Sequence, residues 1–302
     1  MSDKTDFEVI IVGGSYAGLS AAMALGRSLR NTLIIDANKP CNRQTPHSHN
    51  FLTQDGKTPS EISQVAREQV AQYPSIQFYD GFATAGQQTE DGFSIQTETG
   101  DSFTAKKLIF ATGISDLMPD IPGFSECWGI SVIHCPYCHG YEYHGKKTAI
   151  LANGERAFHL ASLVNNLTDD LSLLTAGEAD FTPEQKQKLA QHNIQIFESS
   201  IDSLKHEQGM LREVILQDGS QLAFDAVYAS IPFRQHSDIP VSLGCALTEA
   251  GYLEVDEWQK TTVDGVLACG DNSTPFRSVA QAVASGNFAG AFLNMELTNE
   301  SF

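Results

Sequence analysis

Positive charge is scarce in this chain. Its 302 residues carry 19 Lys and Arg against 37 Asp and Glu, a formal net charge of −18 at pH 7. A surface of that sign repels phosphate backbones, so nucleic acid is excluded as an expected partner, and it repels acidic proteins as well. The acidic residues are scattered, which fits a solvated surface rather than a binding tail. Long apolar runs are missing too. No stretch approaches the roughly 20 residues needed to cross a bilayer, so no membrane partner is expected. The start, Met-Ser-Asp-Lys-Thr-Asp, lacks the basic opening and apolar run of a signal peptide, and the expected location is the cytoplasm. No repeat of short period is visible. Cysteine is used sparingly: of Cys41, Cys127, Cys135, Cys138, Cys245 and Cys269, only Cys135 and Cys138 are close in sequence. In a reducing compartment a framework of structural disulfides is not expected, and a lone Cys-x-x-Cys points to redox work or metal.

What is present is enough for two domains, with 41% apolar residues. The opening reads as a strand–turn–helix–strand unit. Phe7–Val12 (FEVIIV) is a β-branched run suited to a buried parallel strand, Gly13–Gly18 (GGSYAG) is a turn, Leu19–Leu29 a helix, and Thr32–Ile35 a strand ending at Asp36. A long excursion, Asn38–Pro59, follows, and such loops are often functional. Ser60–Tyr73 reads as a helix, and Ile76–Ala85, Phe93–Thr99 and Leu108–Ala111 as strands. After the proline-bearing stretch Asp116–Gly123 the pattern restarts: strand Thr148–Leu151, helix Glu155–Asn165, strands Leu171–Thr175 and Ile194–Phe197. A hairpin across Asp218-Gly219 joins Leu211–Leu216 to Gln221–Phe224, and Ala226–Ile231 is a further strand. Beyond a second linker at Arg234–Pro240 lie strands Tyr252–Val255 and Val266–Cys269 and a long helix, Ser278–Asn294.

Four motifs carry chemistry. Gly13–Gly18 stands where a dinucleotide fingerprint belongs. The first glycine makes the turn, the last lets helix and strand approach, and the helix N-terminus presents N–H groups to a pyrophosphate. Asp36 is placed for a ribose hydroxyl; the middle glycine of the fingerprint is Ser15. Leu108–Gly113 (LIFATG) and Gly265–Asp271 (GVLACGD) each end a buried strand in a small-residue turn. Cys135-Pro136-Tyr137-Cys138 can close a disulfide, and a helix start there favours the thiolate. Zinc, with His134, His139 and His144 as further ligands, is the rival. A structural zinc site needs a second ligand pair at similar spacing, and only scattered residues are available, so no metal is expected. His139 is placed to carry a proton for thiol chemistry, and Glu142 to orient it.

In this order the motifs resemble the low-molecular-weight thioredoxin reductase family of FAD-dependent pyridine nucleotide-disulfide oxidoreductases, over nearly the whole chain. The resemblance implies an α/β fold of two Rossmann-like nucleotide-binding domains, the second inserted into the first. Residues 1–115 and 241–302 would form the FAD domain, and 116–240 an NADPH-type domain with the redox pair. It places FAD on Gly13, Gly14, Ser15, Ala17, Asp36, Thr112, Asp271, Gln281 and Ala282, with the strand holding Phe82 touching the adenine side through its backbone. It implies that Cys138 faces the flavin, that Cys135 exchanges with substrate, and that the protein is a homodimer. The segment Asn42–Gly56 and the run CPYCHGYE look closer to a branch that includes dithiol oxidases of disulfide natural products, which adds Asn42, Arg43 and His49 to the flavin contacts.

The chain departs from the family pattern in three places. His139 replaces an Asp after the second cysteine. Leu151–Ala157 (LANGERA) has one glycine, and Ala176-Gly177 follows its strand without the arginine pair for the NADPH phosphate. Pro232 replaces a glycine. NADPH is therefore an open question, whereas FAD is not. The expected activity is electron transfer between flavin and Cys135–Cys138, and on to a thioredoxin-like protein or small-molecule disulfide. The alternatives are an oxygen-dependent dithiol oxidase, which suits His139 as a base; a reductase fed by a ferredoxin-type donor, which the acidic charge opposes; and a flavin-based redox sensor.

Overall fold

The structure, a computed structural model, describes residues 5–302. Met1–Lys4, part of the stretch read for a targeting signal, lies outside the described residues. The chain divides into two compact units. The first holds the residues up to Arg43, Phe51–Ser115 and Phe233–Phe302; the second holds Gln44–Asn50 and Asp116–Pro232. Both are α/β with a parallel sheet, and the second interrupts the first in sequence.

In the first unit β1 (Asp6–Val12), α1 (Tyr16–Arg27), β2 (Thr32–Asp36), α2 (Pro59–Val70), β3 (Ile76–Asp80), β4 (Ala83–Thr89), β5 (Gly92–Thr97) and β6 (Ser102–Phe110) give the sheet order β3-β2-β1-β6-β5-β4. The strands β3, β2, β1 and β6 are parallel. The second half of β6 also pairs in parallel with Val266–Ala268. β1 from Val9 onward and the centre of β2, Leu33–Ile35, are buried and read as apolar runs. Ile10, Ile11, Ile34 and Ile35 are buried almost completely, each contributing roughly 1.5–3 kcal/mol of apolar burial. α1 lies against the C-terminal helix, Val279–Ser301, at backbone contact: a Cβ on Gly286 or Gly290 would overlap the carbonyls of Ala17 and Ala21.

The second unit stacks Gln195–Phe197, Leu171–Leu174, Thr148–Leu151, Ala226–Ala229 and Val132–Ile133, in that order, into one parallel sheet. An antiparallel sheet of Ile201–Glu207, Met210–Leu216 and Gln221–Ala223 accompanies it.

The structure corrects several expectations. The single strand expected over Ile76–Ala85 is two, β3 and β4, broken at Gly81-Phe82, where Gly81 N–H turns back to the Asp36 carbonyl. Tyr252–Val255 is not a strand; only Leu253 makes a bridge, to Leu247. A helix not anticipated, Pro183–Gln191, is started by a capping box of Thr182 and Gln185. The C-terminal helix runs on to Ser301. Among the described residues no helix is long and apolar enough to cross a membrane.

Candidate functional site

The first unit contains the glycine turn between β1 and α1. Gly13 has φ +104°, and a Cβ there would overlap the Ala111 carbonyl oxygen, so only glycine fits. A Cβ on Gly14 would lie 2.7 Å from the Asp36 Cβ, which places that carboxylate against the turn. Ser15 is the N-cap of α1 but makes no side-chain capping bond, and the first helical turn carries no acidic residue. Its positive end is left for an anion. Ala17 is buried beside Gly270. Asn42 donates to the Tyr16 hydroxyl at 3.2 Å, while its own buried Oδ1 has no hydrogen-bond partner among the described residues. Arg43 is exposed and donates to the Pro40 carbonyl. The Phe82 carbonyl accepts from Glu98 N–H, and the ring meets His236 edge-on.

On the other side of β6, Thr112 Oγ1 accepts from Asn272 Nδ2 at 3.3 Å. Asn272 is wholly buried, and its Oδ1 is a second orphaned acceptor among the described residues. Asp271 Oδ2 lies 3.9 Å from Arg277 Nε. Gln281 and Ala282 start the C-terminal helix, their N–H groups donating to the capping Ser278. Buried orphan acceptors, a turn that admits no Cβ and an uncapped helix start together fit a polar dinucleotide. Asn272 and Arg277 were not among the residues expected from sequence. The signal for Asn272 was its place directly after the GVLACGD turn; Arg277 had none.

The redox pair lies in the second unit. Cys135 is the N-cap of the short helix Pro136–His139, with Pro136 at its first position, and Cys138 and His139 N–H groups both point to the Cys135 carbonyl. Cys138 Sγ donates to Cys135 Sγ at 2.8 Å, with no disulfide between them. Both cysteines are partly exposed. By contrast Cys127, Cys245 and Cys269 are buried, and burial pushes each thiol up, Cys269 to about 12. They pack as small apolar groups. Tyr228 is close enough to feel the charge of Cys135, and Tyr143 donates its hydroxyl to the Ile130 carbonyl at 2.9 Å. Burial first, then nearby anionic groups, raises both phenols, Tyr143 to about 12, so both stay neutral.

His139 follows directly. Both ring nitrogens are buried and lack a hydrogen-bond partner among the described residues. Burial chiefly, and then the neighbouring His49, holds the imidazole below the usual histidine range, against a smaller opposing pull from Glu142. Glu142, expected from sequence to orient His139, makes no hydrogen bond to it and instead faces His49 Nε2 at 3.4 Å. His49 itself belongs to the second unit, on the segment Gln44–Asn50. Among the described residues no group of three or more His, Cys, Asp or Glu is arranged to hold a metal.

The second unit also has a strand–turn–helix at Thr148–Leu151 and Gly154–Val164. Its turn is closed by the chain itself. Asn153 Oδ1 accepts from Gly154 N–H at 2.8 Å and Asp180 N–H at 3.0 Å, and its Nδ2 donates to the Glu178 carbonyl at 2.8 Å. Glu155 occupies the first helical turn and accepts from Gln185 at 2.6 Å.

The sequence matches the pyridine nucleotide-disulphide oxidoreductase family over residues 7–286, and the chain belongs to that family. Membership implies FAD as cofactor. The chain is similar to thioredoxin reductase tcpT of Claviceps purpurea (strain 20.1), at 30% identity over 98% of this chain and 96% of that protein. Among solved structures it is similar to an oxidoreductase from Agrobacterium tumefaciens, with 37% identity and a TM-score of 0.91 over 97% of this chain and 99% of the other. It is also similar to TrxB of Bacillus anthracis, with 29% identity and a TM-score of 0.93 over 98% of this chain and all (100%) of the other. The protein is a thioredoxin reductase-like oxidoreductase.

Proposed function

We propose that this protein oxidises a small dithiol to its disulfide through Cys135 and Cys138, with dioxygen as the final oxidant, rather than running as an NADPH-fed reductase. The observation that carries this reading is the self-closed turn of the second unit. Where a pyridine nucleotide would place its pyrophosphate, Asn153 instead ties down the Glu178–Asp180 backbone, and Glu155 puts a negative charge on the helix start. A nearby cavity of about 430 Å³ has Glu198 and Asp218 against the single ammonium of Lys186, a poor match for a phosphate.

FAD would be held by Gly13, Gly14, Ser15, Ala17, Asp36, Asn42, Thr112, Asp271, Gln281 and Ala282, with Asn272 added. When bound it supplies the acceptor for the electron pair taken from the dithiol. The protein's own residues carry the rest. Neutral His139 takes the proton of an incoming thiol, and the thiolate attacks the Cys135 sulfur of the disulfide form. The Cys135–Cys138 bond breaks and Cys138 leaves as a thiolate. The second substrate thiol, deprotonated in turn, attacks the substrate sulfur of the mixed disulfide. The product disulfide departs, and both cysteines are left as thiolates holding the two electrons. Over a full cycle dithiol and dioxygen become disulfide and hydrogen peroxide.

The reading carries with it the cytoplasmic location expected from the sequence and the homodimer that the family resemblance implies. Its test is turnover of dithiothreitol in air by the FAD-loaded protein. One hydrogen peroxide per disulfide is expected. Absence of dithiol-dependent peroxide, alongside NADPH-driven reduction of a disulfide, would overturn it.

A further inference from the structure

We infer that His49 is the second proton carrier of the dithiol site, a relay residue held by Glu142 between His139 and solvent. The inference rests on the proposed exchange at Cys135–Cys138, and the need for it is stoichiometric. Each dithiol that becomes a disulfide gives up two thiol protons, one before each thiolate attack. The innermost imidazole, His139, can hold only one of them while the second thiol reacts. Its two ring nitrogens are buried and bonded to no other described residue, so it needs a neighbour to pass a proton on.

That neighbour is His49. His49 Nε2 lies 3.4 Å from Glu142, which stands on the turn Tyr141–Tyr143 directly after the helix that ends at His139, and the charge of His49 opposes protonation of His139. Its side chain is 20% exposed, and that of Glu142, facing its Nε2, is 36% exposed. His47 is exposed outright, and its ring centre lies 6.3 Å from that of His49. The imidazoles of His139, His49 and His47 therefore run outward, and the Glu142 carboxylate stands beside the middle one, where it can accept from the N–H that a proton in transit creates. The phenols of Tyr143 and Tyr228 feel the charge of the same Glu142. Both phenols stay protonated through neutral pH and offer no competing base. His49, Glu142 and His139 all belong to the second unit, so the arrangement is a property of that unit alone.

The test uses the FAD-loaded protein, oxidised at Cys135–Cys138 and mixed with dithiothreitol without oxygen in weak buffer. Reaction is quenched at intervals with a maleimide, and the two cysteines are counted by mass. His49→Asn should slow the appearance of free thiols by roughly ten- to a hundredfold, and added imidazole should restore most of the rate. Glu142→Gln should slow it in the same direction and respond to imidazole likewise, which keeps the inference testable if His49→Asn does not fold. A folded His49→Asn protein that exchanges at the wild-type rate would overturn the relay. So would a slow one that imidazole does not restore, since that marks a structural role. If the wild-type pair is not reduced by dithiothreitol at all, the proposed exchange itself fails. If it is reduced but no peroxide forms in air, only the choice of final oxidant fails, and the comparison of variants still decides the role of His49.

Discussion

The chain builds the same strand–turn–helix twice and uses the two copies differently. At Gly13–Gly18 the turn is lined by backbone and small side chains, the helix start is uncapped, and a carboxylate stands to one side where a ribose would lie. At Ala152–Arg156 the Asn153 side chain caps the helix, anchors the following loop and brings Glu155 into the first turn. The backbone topology is common to both; what stands at the helix N-terminus is not. A Rossmann-like unit offers a nucleotide site only while that end stays open and free of negative charge.

This contrast can be broken experimentally. The largest effect is expected where chemistry depends on one atom. Cys138→Ser should keep bound flavin, seen in its absorbance, and abolish dithiol turnover; unchanged turnover would remove the redox pair from the mechanism. Next is Gly13→Ala, whose methyl would overlap the Ala111 carbonyl. It should purify with little or no flavin, whereas Gly154→Ala, where the nearest atom is the Asp180 carbonyl oxygen at 3.4 Å, should keep its full complement. Equal flavin content in both would erase the distinction between the two turns.

His139→Ala should lower turnover by roughly a hundredfold, the usual scale for one general base. Because the folded imidazole is held below its ordinary value, its neutral form persists as the solution is acidified. The wild-type rate attributable to this base should therefore fall on acidification with a midpoint below the ordinary histidine value of about 6.5. A decline centred well above that would assign the base to another group. The smallest effect is at Asn153→Ala. Loss of this cap should cost about 1 kcal/mol of stability, read from denaturant unfolding, with no change in flavin content.

Much of the fold was legible because the buried parallel strands announce themselves. FEVIIV, TLIID and LIF are predominantly apolar and β-branched runs bounded by turns. What escaped was what periodicity does not encode. Pro183–Gln191 buries only Leu189, so its helix is written in the capping box rather than in an apolar stripe. The stretch Ile76–Ala85 looks continuous until tertiary pairing turns it at Gly81. At the redox site the adjacent residues Cys135, Cys138 and His139 could be read from local spacing. The partner of Glu142 could not. Sequence proximity favours His139, but the fold brings in His49 from a distant loop. Likewise the lone glycine in LANGERA showed that the second turn was unusual. Only the coordinates show that Asn153 and the Glu178–Asp180 backbone fill it.

The central claim is tested most directly by an anaerobic titration of the yellow, FAD-loaded protein, first with NADPH and then with dithiothreitol, following flavin absorbance. The account predicts that NADPH leaves the absorbance unchanged and that dithiothreitol bleaches it. Rapid bleaching by NADPH would contradict it, because the second turn would then be open to a pyridine nucleotide after all.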